Sequence, residues 1–113
     1  MLIIDKSIDN KELIEIAKTI FGDMVKGVVD IKKEIIAVNA ELHADLEAFL
    51  LEKGSKQENL WGINFYPEID GEDFLEFDSM INIRPSQNNR SRGVENEEAR
   101  NKIIEIVKNR IKK

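Results

Sequence analysis

The 113-residue chain contains no cysteine, which excludes a disulfide framework and a thiolate metal site. Its single histidine leaves little room for a nucleophile triad, and neither a G-x-S-x-G elbow nor a G-x-x-x-x-G-K-[ST] phosphate loop occurs. Long apolar runs are missing too; Ile35-Ile36-Ala37-Val38 is among the longest, far short of a membrane span. Basic residues number 17 against 22 acidic ones, a net charge of −5, which is the wrong sign for a bulk nucleic-acid binder. Repeats and low-complexity tracts are absent. Leu2-Ile3-Ile4 before Asp5 is too short for a signal-peptide core and has no basic lead, so a cytoplasmic protein is expected.

What the chain does have is apolar residues: 42% of the total, including 17 isoleucines. That is enough to build one core without metal or disulfides, so residues 1–113 are expected to form a single domain. Asp9, with Glu12 three residues on, reads as a helix start. Leu13, Ile16, Ala17, Ile20 and Phe21 then recur at helical spacing, and Gly22 is a plausible stop. Met24 to Ile31 reads as a strand, with a tight turn at Lys32-Lys33.

From Ile36 to Leu50 every even position is apolar, and the odd positions from Asn39 to Glu47 are polar. That alternation argues for a long, bent strand. A helix competes, because Leu42, Leu46, Phe49 and Leu50 also fit helical spacing and Ala, Leu and Glu favour helix. Lys53-Gly54-Ser55 ends the element either way. Leu60 to Tyr66 reads as a strand with Trp61, Ile63 and Phe65 facing the core, closed by Pro67. Phe74 to Ile83 reads as another strand, after a turn at Asp70-Gly71 and before Pro85. Ser86 to Gly93 is a polar loop, and Glu95 to Lys112 a helix with a stripe of Ala99, Ile103, Ile106, Val107 and Ile111. The expected fold is α+β: an antiparallel four-stranded meander with the N- and C-terminal helices packed on one face, a two-layer sandwich. The other face is left for water, a partner or a ligand.

Three stretches carry a resemblance: Glu41-Leu-His-Ala-Asp-Leu-Glu47, Gly54-Ser-Lys-Gln-Glu-Asn-Leu-Trp-Gly-Ile-Asn64 and Ile81-Asn-Ile-Arg-Pro-Ser-Gln-Asn-Asn-Arg-Ser-Arg92. Together they resemble a family of small prokaryotic proteins, the domain of unknown function numbered 5674, over nearly the whole chain. The resemblance implies a single-domain prokaryotic protein. It implies no activity, cofactor or catalytic residue.

Two constellations carry chemistry. In a strand, Glu41, His43, Asp45 and Glu47 share one face at spacings of about 6.5–7 Å. His43 could then serve as a base or metal ligand with Asp45, Glu47 and a neighbouring Asp78 or Asn82. The plainer alternative is a solvated sheet face. The second constellation is the loop from Asn82 to Arg92. Residues 79–94 hold Arg84, Arg90 and Arg92 and no acid, which suits phosphate or carboxylate recognition. Here the plainer alternative is internal pairing with residues 34–52, which hold five acids and no Lys or Arg. Asn64 and Tyr66 should share the polar face with His43 and Asp78, and Gly62 leaves a gap there for a ligand or another backbone.

The leading expectation is therefore a binding protein for an anionic ligand, a phosphate-bearing metabolite or acidic group. Arg84, Arg90 and Arg92 would hold the anion, with Asn82, Gln87 and Asn89 orienting it. The alternatives are a small metal-assisted or acid–base enzyme using His43, Asp45, Glu47 and Asp78, and a homo-oligomeric interaction module. Nucleic acid is not expected as a partner, because no aromatic stacking platform interleaves with the arginines.

Overall fold

In the computed structural model, which describes all 113 residues, the apolar triplet Leu2–Ile4 forms an edge strand, β1. Ile8–Asp9 forms a two-residue strand, β2, and Asp9 also accepts the Lys11 amide to cap α1 (Asn10–Ile20). Gly22, at φ +95°, ends α1 as expected, in a left-handed conformation open to glycine at no steric cost. Val25–Asp30 and Ile35–Val38 are β3 and β4. The turn between them is held by Asp30, whose Oδ1 accepts the amides of Lys32 and Lys33 while its Oδ2 accepts the Ser55 hydroxyl.

The long strand expected from Ile36 onward ends at Val38. Asn39, at φ +74°, turns the chain out of the sheet, and His43–Glu52 is a helix, α2. The helical alternative holds because His43, Leu46 and Leu50 fall on one face and are buried. The small Ala44 and Ala48 tolerate exposure on the other. Gly54, at φ +95°, closes α2, with the Ser55 amide on the Leu50 carbonyl. Leu60–Phe65 is β5, buried at every position.

The strand expected over Phe74–Ile83 shrinks to Leu75–Glu76, β6. Ser79 accepts the Ile81 amide through its side chain and winds Met80–Asn82 into a 3₁₀ turn. Asn96 then caps α3 (Glu97–Arg110), and Ile111–Lys112 is β7.

The fold is α+β. The main sheet is antiparallel and has five strands in the order β1-β4-β3-β5-β6, so it is neither four-stranded nor a simple meander. β2 and β7 make a separate parallel pair, Ile8 opposite Ile111. Strand parity splits the sheet cleanly. Val25, Val29, Ile36, Val38, Trp61, Ile63 and Phe65 share one core with Leu13 and Ala17 of α1 and Ile103, Ile106 and Val107 of α3. Both terminal helices therefore lie on one face, as expected. The opposite face is not open: Leu46 and Leu50 of α2 cover Val28, Ala37 and Leu60. Full burial of each leucine contributes about 1.5–3 kcal/mol. The molecule has three layers, with α2 on the side expected to face water or a ligand.

Candidate functional site

The Arg-rich loop turns much of its polarity inward. Asn82 is fully buried; its Oδ1 accepts the Gly62 amide, and its Nδ2 donates to the Gly62 and Arg92 carbonyls. The side-chain amide thus pairs with β5 as a strand residue would, in place of the missing end of β6. Gly62 is what admits it: a Cβ there would stand 2.4 Å from the Ser79 Cβ. The gap foreseen at Gly62 is filled by the chain's own 79–82 turn.

Arg84 is 8% exposed and donates to the Gln57 and Leu60 carbonyls, its guanidinium stacked 4.1 Å from the Trp61 ring centroid. Burial disfavours its charged form and the nearby Glu47 carboxylate opposes that shift, without a close ion pair. Asn89 is buried as well; it donates to the Asn82, Ser91 and Gly93 carbonyls and accepts the Glu95 amide. Gln87 is exposed, accepts from Arg84 and donates to the Glu58 carbonyl. Arg90 and Arg92 remain on the surface. Arg92 pairs with Asp78 at 2.6 Å, and the acidic segment 34–52 supplies none of the loop's ion pairs.

The His43 row disperses because it lies on a helix. Glu41 and Asp45 are exposed, and Glu47 points toward Arg84. No three His, Asp or Glu side chains stand close enough to hold a metal ion, and His43, Asp45, Glu47 and Asp78 are not brought together as a set. His43 itself, however, lands with Asn64, Tyr66 and Asp78. The first turn of α2 brings it onto the face where Lys26, Asn64 and Glu76 lie opposite one another across β3, β5 and β6. These residues, with Ser79 and Arg92, line a cleft of about 440 Å³ whose apolar lip includes the exposed Leu42 and Met80.

Asn64 is 5% exposed; its Nδ2 donates to Glu76 Oε1 and the Asp78 carbonyl, which leaves Oδ1 without a partner. The Tyr66 hydroxyl donates to the same Glu76 oxygen. Desolvation first, and the Glu76 carboxylate second, push its pKa up, so it stays a phenol. His43 Nε2 lies 2.9 Å from the Ile63 carbonyl, which can only accept, so Nε2 carries the proton and Nδ1 the lone pair. Burial, with help from Lys26, holds the imidazole below its usual pKa against the opposing pull of Ile63, Asn64 and Asp78.

Two features of the cleft are unsatisfied. Leu42 gives α2 no side-chain cap, and the amides of His43 and Ala44 meet no internal acceptor. Lys26 makes no ion pair; its Nζ rests 5.2 Å from the Phe21 ring centroid. Sequence reasoning overlooked Lys26 and Glu76. The signal was present in Lys26, the one basic residue inside the apolar run of β3.

The chain belongs to the family described as protein of unknown function, DUF5674, whose profile matches residues 2–110. Comparison with curated proteins and with solved structures gives no match. No helix is long and apolar enough to cross a membrane.

Proposed function

We propose that the protein binds a small anionic ligand in the cleft between the first turn of α2 and the β3–β5–β6 face. The observation that carries this reading is an uncapped helix N-terminus facing the same cleft as an unpaired lysine, Lys26. The amides of His43 and Ala44 and the Lys26 ammonium are all donors without acceptors, and a phosphate or carboxylate oxygen satisfies them together. The buried, unpartnered Asn64 oxygen is an acceptor, so it does not hold the anion; it awaits a donor, which a protonated His43 supplies. An anion here favours the imidazolium of His43, whose second N–H then faces a site that lacks a donor. Binding therefore takes up a proton and tightens as pH falls toward the lowered value that His43 has in the free protein. On this reading Asn82, Arg84 and Asn89 lie outside the lining of the cleft and play a structural part, and Arg92 alone of the loop arginines lines it.

Calorimetric titration with inorganic phosphate, in two buffers of different ionisation enthalpy, tests this. The expected result is proton-linked binding that weakens about tenfold in Lys26→Gln, the loss of one charge-assisted hydrogen bond. It should be unchanged in Arg90→Gln. Phosphate binding of equal strength in Lys26→Gln and wild type refutes the reading, as does no binding at all.

A second reading, acid–base catalysis, is favoured by the free Nδ1 of a neutral His43 in the same cleft. It needs no help from Asp45 or Glu47. Hydrolysis of a nitrophenyl ester that is lost in His43→Gln, with phosphate affinity retained, would support it; equal rates in both proteins would end it.

A further inference from the structure

A second cleft, of about 640 Å³, lies on the opposite side of the sheet, between the β6 segment and α3. Its floor is apolar: Phe74, Leu75 and Phe77 on one wall, Ile104 and Val107 on the other. Arg100, Ile104 and Lys108 follow one stripe of α3 at i, i+4 and i+8, so the backbone positions of the two cationic residues stand about 12 Å apart along the helix with Ile104 between them. Neither makes an ion pair. Arg100 lies flat on Phe77, 4.3 Å from the ring centroid, and one guanidinium nitrogen donates to the Val94 carbonyl. That contact holds the fork in place and leaves its other N–H groups free. Glu72 is the only carboxylate lining the cleft, so the lining carries one net positive charge in a chain of −5.

We infer that this groove binds a small amphiphilic monoanion, an aliphatic or aromatic carboxylate. Its apolar body lies on Leu75, Ile104 and the part of Phe77 that Arg100 leaves uncovered, and its carboxylate takes the free edge of Arg100. The volume falls within the range of small-ligand sites, about 300–1,000 Å³. Charge decides between occupants. An apolar cation would meet two unpaired cations, and a tailless anion would leave the floor uncovered. The inference is independent of the His43 cleft.

Titration of ¹⁵N-labelled protein with octanoate, with octylammonium and inorganic phosphate as controls, tests it. Octanoate should give saturable shifts centred on the amides of Phe77, Arg100 and Ile104. Octylammonium should bind at least about tenfold more weakly, and phosphate should leave these amides unmoved. Arg100→Gln should weaken octanoate about tenfold. Because Arg100 also holds the Val94 carbonyl, Lys108→Gln at an exposed position is the second variant, expected to weaken binding about threefold. Equal affinity for octanoate and octylammonium, shifts centred elsewhere, or no saturable shift overturns the inference. So does a concentration-dependent dimer that buries the same amides, which would make the groove an interface between copies of this chain.

Discussion

The Arg-rich loop and the His43 cleft lie side by side and treat polarity in opposite ways. The loop from Asn82 to Arg92 has the greater supply of donors and uses many of them on backbone carbonyls of the chain, those of Gly62, Arg92, Gln57, Leu60 and Gly93, with the buried Arg84 Nε left over. The cleft holds fewer polar groups, yet an amide pair, a lysine and an Asn oxygen stay unmatched. Recognition needs unsatisfied groups. Counting polar residues points to the loop; counting partners points to the cleft.

The sharpest way to break this contrast is Asn82→Ala. It leaves the amide and carbonyl of buried Gly62 unpaired, while the Arg92 carbonyl keeps the Ser79 amide, and should cost about 3–5 kcal/mol in urea unfolding. A loss under about 1 kcal/mol would mean that the loop is not structural and that its arginines are available for a ligand. Next, Gly62→Ala drives a Cβ into the Ser79 side chain and should cost about 2–3 kcal/mol.

The pH dependence of stability comes third. His43 has a lowered pKa in the folded state, so below 6.5 the unfolded chain takes up the proton and the folded one resists. Stability should therefore fall as pH drops from 6.5 toward the folded value, and this part of the slope should vanish in His43→Gln. An unchanged slope would remove His43 from the account. The smallest effects belong to the cleft and the surface. Lys26→Gln should shift stability by less than about 0.5 kcal/mol while weakening phosphate about tenfold. Arg92→Ala, which breaks an exposed ion pair, should cost about 0.2–1 kcal/mol.

These expectations also mark what was legible in the sequence. The Asp9 cap, the Gly22 stop, the α3 stripe and the inward Trp61, Ile63 and Phe65 were readable, because each is a local pattern with a local cause. Residues 39–52 were not. Alanines at alternate positions imitate a strand, and the deciding residue was Asn39, whose left-handed turn takes the chain out of the sheet. The grouping of His43 with Asn64, Tyr66 and Asp78 was foreseen on a sheet face and arises by another path, a helix end laid over that face. The inward turn of Asn82, Arg84 and Asn89 was illegible because a sequence displays donors and conceals acceptors. The Gly62, Gln57 and Leu60 partners of Asn82 and Arg84 sit 20 to 27 residues away on β5 and the turn before it.

The β2–β7 pair has a kinetic meaning. Ile8 meets Ile111 across almost the full length of the chain, for only two residues of ladder. Closing so long a loop costs the most entropy and returns the fewest contacts, so this pair should form after the folding barrier and open before the global one. Substitutions at Ile8 should thus speed unfolding and leave the folding rate nearly untouched. The central β3–β5 ladder, by contrast, closes a shorter loop over six residue pairs, so substitutions there should slow folding instead.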